Sequence, residues 1–164
     1  MSSISKIDKN LPMRLRIEAL IADYSHCIDE DQLENWPNFF TEDAQYRVFT
    51  RENYDLKLPV ALIYCDGRGM LKDRISALRT ANIFEPHVYC HMTSAIKFLE
   101  NENDVQRIQS NFTVIRTMSE GDMTIFACGK TFDTIVEIDD TLKFKKRDII
   151  LDSRRVDTLL VVPI

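Results

Sequence analysis

Along this chain the spacing of apolar residues changes once, from three-or-four to two. From Met13 onward, Ile17, Leu20, Ile21, Tyr24 and Ile28 recur at helical spacing. They trace one apolar stripe, the pattern of a long packed helix. Pro12 suits its first turn, and the opposite face carries Ala19, Ala22 and His26. A short helical segment is expected over residues 33–40, limited to about two turns by Pro37. Residues 41–43 read as a break, 45–50 as a strand, 51–58 as a polar loop and 59–64 as a short apolar run. Gly67 and Gly69 then open a helix with Met70, Leu71, Arg74, Ile75 and Leu78 on its packed side, running to about Asn82.

After Pro86 the period is two. Residues 88–99, 105–118, 123–137 and 142–151 form long runs rich in β-branched and aromatic side chains, with turns at 101–104, 119–122 and Asp139-Asp140. Helices first and a meander last is an α+β arrangement. Strands this long must curve, so the expected architecture is a curved antiparallel sheet with helices in its concave face, a cone-shaped roll. Gly129, inside a strand pattern, is a candidate bulge or bend. Residues 1–10 read as a flexible N-terminal segment and 11–164 as one cone-fold domain. No internal repeat is visible.

Composition narrows the partners. A formal charge of −5 and a pI near 5.2 argue against nucleic acid. The cationic runs Lys143, Lys145, Lys146, Arg147 and Arg154-Arg155 are short, and read as solvated faces or protein contacts. No apolar segment follows the N-terminus as a signal peptide requires, and none is long enough to span a membrane. The expected location is the cytoplasm. Cys27, Cys65, Cys90 and Cys128 are scattered and read as small buried hydrophobes.

Metal chemistry finds little support. His26-Cys27 and Cys90-His91 lack the paired spacing of a Rieske cluster. On a strand, His87 and His91 stand roughly 13 Å apart at about 3.3 Å per residue, too far to chelate. No nucleophile motif, phosphate loop or dinucleotide fingerprint occurs. Acid–base catalysis in a cone cavity is the competing reading, with Tyr24, Asp43, Tyr46, Asp73 and His91 as candidates. Each also has a plain role: Asp43 in a turn or cap, Asp73 paired on its helix, and Tyr24 in the core. Trp36, Phe39 and Phe40 form the densest aromatic cluster and read as core.

The stretch from Trp36-Pro37-Asn38-Phe39-Phe40 through Asp43, Tyr46 and Val48 resembles small (β) subunits of bacterial aromatic-ring-hydroxylating dioxygenases. Arg51-Glu52-Asn53-Tyr54 with Leu58-Pro59 look like the subgroup acting on ring carboxylates and related acids, and Met70 to Arg79 resembles the family's helix before the sheet. Ala81 to Glu85 with His87 and His91, and the terminal Asp157-Thr158-Leu159-Leu160 with Pro163, look most like the terephthalate oxygenase small subunit. Small subunits of anthranilate and salicylate oxygenases are also similar. The resemblance implies a fold shared with scytalone dehydratase, nuclear-transport-factor-like and cystatin-like proteins. It implies a chain without catalytic, cofactor-binding or metal residues of its own. The Rieske [2Fe–2S] cluster and mononuclear iron would sit in a large (α) subunit, typically in an α3β3 hexamer, with trimeric self-association also open. Trp36, Phe39, Phe40, Asp43 and Tyr46 would be the core signature. The function implied is to assemble the subunit that adds dioxygen to an aromatic ring. A stand-alone cone-fold lyase or isomerase, and a small-molecule or protein-binding module, are the alternatives.

Overall fold

In a computed structural model, residues 10–81, 83–99, 105–154 and 160–164 are described. The expected flexible segment at 1–10 lies almost wholly outside them. So do the turn at 101–104, the helix end at Asn82 and the family-like Asp157-Thr158-Leu159. The elements are α1 (Met13–Asp29), a 3-10 turn (Trp36–Phe39), β1 (Phe40–Thr50), α2 (Arg51–Asp55), β2 (Ile63–Asp66), α3 (Arg68–Thr80), β3 (His87–Phe98), β4 (Gln106–Met118), β5 (Met123–Ile138) and β6 (Thr141–Leu151).

The six strands form one sheet in the order β2-β1-β6-β5-β4-β3. Every pairing is antiparallel except β1 with β6, which is parallel. Register shifts interrupt four of the five pairings, between Phe40 and Gln45, Ser94 and Lys97, Val114 and Ile115, and Thr134 and Ile135. Such bulges raise local twist and bend long strands, which lets this sheet curve. Helices α1 and α3 pack on the concave side. Their buried stripes, Ile17, Leu20, Ile21, Tyr24 and Ile28 on α1 and Leu71, Ile75 and Leu78 on α3, are those the spacing indicated.

Three local expectations need correction. Residues 41–43 are not a break but the irregular start of β1, where two pairing blocks with β6 are out of step. Residues 51–55 are a helix rather than a loop: the Thr50 hydroxyl accepts from the Asn53 N–H, a cap that starts one turn. Gly129 is not itself at a register shift. A Cβ there would collide with the carbonyl oxygen of Ile150, so glycine serves a close backbone approach. The Asp139-Asp140 turn is tight, with φ of 50° and 61° at its two residues, the signature of the primed turns that suit hairpins.

Candidate functional site

Between the helices and the sheet, the described residues include a dense cluster of buried aromatic side chains. Trp36, Phe40, Tyr46 and Phe144 are fully buried, and Tyr24 is 1% exposed. Their rings meet edge-on or tilted: Trp36 to Phe40 at 5.4 Å, Trp36 to Tyr46 at 5.1 Å, Tyr24 to Phe144 at 5.5 Å. Trp36 ends up beside Phe40 although the segment is a 3-10 turn running into a strand rather than the expected helix.

Two hydroxyls in this interior converge on one atom. Tyr24 Oη donates to the carbonyl oxygen of Ile164 at 2.7 Å, and Tyr46 Oη lies 3.1 Å from the same oxygen. The Ile164 N–H in turn donates to Tyr46 Oη at 3.1 Å. The segment 160–164 reaches this position across α3, where Arg74 donates to the carbonyls of Leu160 and Val161. Burial pushes both tyrosine hydroxyls above their ordinary titration range, so both stay protonated donors.

Beside them lies a buried ion pair that the strand pattern did not announce. Arg147 Nη1 donates to Asp133 Oδ2 at 3.1 Å, and both side chains are buried. The Arg147 guanidinium lies 4.4 Å from the Tyr24 ring centroid and 4.8 Å from that of Phe144. Thr131 Oγ1 donates to the same Asp133 oxygen at 3.2 Å and meets Ser110 Oγ at 2.7 Å. Burial pushes the Asp133 carboxyl up to about 6, against the opposing pull of Arg147. The reading of Arg147 as part of a solvated cationic run is therefore corrected. Lys145 has no partner in the register between Phe144 and Lys146, and this bulge reverses the inside–outside alternation after it. Arg147 is thereby carried inward with Leu142, Phe144 and Ile149.

At the free edge of β3, Asp29 at the end of α1 accepts twice from one residue. Its Oδ2 takes the His91 backbone N–H at 2.9 Å, and its Oδ1 faces His91 Nδ1 at 2.6 Å. A groove of about 560 Å³ runs alongside, lined in part by Arg14, Ile21, Ser25, His26, Asp29 and His91. His91 Nε2 is buried without a hydrogen-bond partner. His87 Nδ1 meets the Glu85 carbonyl at 2.8 Å.

The acid–base candidates do not gather in one place. Tyr24 and Tyr46 meet in the interior. His91 stands at the β3 edge with Asp29, a partner 62 residues away that the sequence reading missed. Asp43 is exposed on β1, held by the Thr41 hydroxyl at 2.8 Å. Asp73 is exposed on α3 beside a second groove, of about 480 Å³. The adjacent pairs do not converge as metal ligands either. Cys90 is exposed on the outer face while His91 turns inward, and Cys27 Sγ donates to the Gln32 carbonyl. Among the described residues, no group of three or more His, Cys, Asp or Glu is placed to hold a metal ion. Two of the four cysteines, Cys90 and Cys128, are exposed rather than buried, because they fall on the outward register of β3 and β5.

That outer face is apolar where β3, β4 and β5 run together. Val88, Met92, Met123 and Ile125 are exposed, the last two at 71% each, and Cys90, Ile115 and Cys128 lie among them in register. A large exposed apolar surface on a sheet signals contact with another chain.

An apolar outer sheet face of this kind suits a chain that works as a subunit. The sequence profile described as "Ring hydroxylating beta subunit" matches residues 25–158, and the chain belongs to this family. It is 42% identical to the anthranilate 1,2-dioxygenase small subunit of Burkholderia cepacia, over 86% of this chain and 88% of that one. It is 37% identical to a terephthalate 1,2-dioxygenase terminal oxygenase component subunit beta 2 of a Comamonas species, over 92% and 97%. Among solved structures it superposes with TM-score 0.84, at 37% identity and over 92% and 95% of the two chains, on one described as the β subunit of an aromatic-ring-hydroxylating dioxygenase from Novosphingobium aromaticivorans. A protein from the same organism described as a scytalone dehydratase matches at TM-score 0.66 and 23% identity, over 89% and 88%, a likeness of fold alone.

Proposed function

We propose that this chain is the non-catalytic small subunit of an aromatic-ring-hydroxylating dioxygenase and acts by assembling and stabilising a large oxygenase subunit. The observation that carries this reading is the match of residues 25–158 to the ring-hydroxylating β-subunit family, beside which the five aromatic rings at 0–1% exposure serve as core. In this reading the Rieske cluster and the mononuclear iron belong to the large subunit, where electrons from NADH and dioxygen meet the ring. The relatives' names support an aromatic carboxylic acid as substrate class. The assembly is α3β3, with the outer face of β3, β4 and β5 covered by a neighbouring chain. A threefold ring needs two different patches on each chain to meet. The complex works in the cytoplasm, without nucleic acid or membrane as partner. No described helix is long and apolar enough to cross a membrane.

Co-expression with a large subunit bearing C-x-H…C-x-x-H, followed by mass determination and metal analysis, is the test. An equimolar hexamer is expected, with its iron lost when the large subunit is left out. A chain that stays monomeric beside the large subunit, yet turns over a small substrate alone, would refute the reading in favour of a cone-fold lyase.

A further inference from the structure

The convergence of Tyr24 and Tyr46 on a single oxygen has the form of a ligand site occupied from within. Two buried hydroxyls, on α1 and β1, are aimed at one acceptor, the carbonyl oxygen of Ile164, at 2.7 and 3.1 Å. Apolar rings surround them: Trp36, Phe40 and Phe144. Arg147 is stacked against Tyr24 and paired with Asp133, which also feels the charge of Asp148, and the positive charges of Arg74 and Arg147 both reach Tyr46. The site therefore sets two donors and two cations around one oxygen. Such a site prefers an anionic acceptor over a neutral one.

What fills it is a short piece of chain rather than a strand or helix. Residues 160–164 belong to no regular element. They are held by the hydrogen bonds from Arg74 and Tyr24, the Ile164 N–H to Tyr46, and the burial of Leu160, Val161 and Ile164. The same Arg74 borders the groove of about 480 Å³ formed by β2, α3, Leu160 and Val161, which opens to the surface next to the segment. Lifting the segment would free the two hydroxyls and the Arg74 guanidinium together.

We infer that Tyr24 and Tyr46, flanked by Arg74 and Arg147, form a latent binding site for a small monocarboxylic acid with a branched or aromatic body, which segment 160–164 occupies in cis. The inference is independent of the subunit role: it concerns the interior of the cone, not its outer face.

The direct test removes the occupant. A chain lacking Val162, Pro163 and Ile164 keeps the Arg74 contacts to Leu160 and Val161 and leaves a cavity lined by the tyrosines. Cavities of this kind take up matching small molecules. Adding 3-methylbutanoate or benzoate at millimolar concentration should raise the melting temperature of the truncated chain by several degrees. The corresponding alcohols should not. Tyr24→Phe with Tyr46→Phe in the truncated background should weaken the acid's binding at least tenfold by calorimetry. Equal stabilisation by acid and alcohol, or affinity untouched by the two substitutions, overturns the inference. Should the truncated chain fail to fold, hydrogen exchange on the full chain decides. Benzoate should speed exchange of the Val161 and Ile164 amides several-fold, and an unchanged rate counts against the site.

Discussion

Phe40 shows how much rests on single side chains in this interior. It is fully buried and in ring contact with Tyr24, Trp36, Tyr46 and Phe144. Its truncation to alanine should cost roughly 3–5 kcal/mol, read from denaturant unfolding. An unaltered midpoint would show that the cluster yields easily. Asp133 makes a different kind of prediction. Its carboxyl, pushed up to about 6 by burial, holds a proton in the folded chain that the unfolded chain releases nearer 4. Its contribution is thus fully present below pH 4 and declines as pH rises through 6, by about 3 kcal/mol at most. The stability difference between wild type and Asp133→Asn, measured from pH 4 to 7, should fall in favour of the variant by an amount of this order. A flat difference would mean that Arg147 keeps the carboxylate ionised throughout. Neither residue of this pair stood out in the sequence. Arg147 sits in a run of cations, and only the bulge at Lys145 turns it inward. His91 was visible as a histidine on a strand; its tie to Asp29 spans 62 residues and leaves no local mark.

Elements were legible where periodicity was strong and local. Helix α1, helix α3 and all four long strands lie within a few residues of where apolar spacing places them. Short elements were not. The five-residue helix α2 has no apolar stripe to betray it, and only the Thr50-to-Asn53 cap could have. The pairing order was also hidden, since nothing local in β1 says that it lies beside β6. Position 129 tests the β5–β6 junction. Gly129→Ala forces a methyl group against backbone atoms of Ile150 and Asp152 that cannot move aside like a flexible side chain. The variant should lose at least about 1–3 kcal/mol, seen as a lower melting temperature. Unchanged melting would imply that β6 shifts freely. Helix α1 is fixed at two levels, by Arg16 with Glu137 at 2.6 Å near its start and by Asp29 with His91 at its end. Asp29 also occupies a backbone donor on the open edge of β3, which blunts that edge against stray strand pairing.

For the whole molecule, the outer face of β3, β4 and β5 is an apolar surface that the described residues leave uncovered. Replacing Ile125 and Met92 with lysine should leave the isolated chain's unfolding free energy within about 0.5 kcal/mol per site, since both are exposed. The same change should abolish co-purification with the large subunit or self-association in light scattering. Retained assembly would place the interface elsewhere.

The single parallel pairing has a consequence in time. Strands β1 and β6 lie side by side, yet Arg47 and its ion-pair partner Asp148 are 101 residues apart in the chain. The hairpins of β3 through β6 close over short loops, whereas β1 must wait until β6 has been made. During synthesis on the ribosome, α1, β1 and β2 therefore emerge without the neighbour that completes them, and their apolar faces stay open until the last strand arrives. Closing so long a loop late is slow. Pulse-labelled hydrogen exchange during refolding should find the amides joining β4 to β5 protected before those joining β1 to β6.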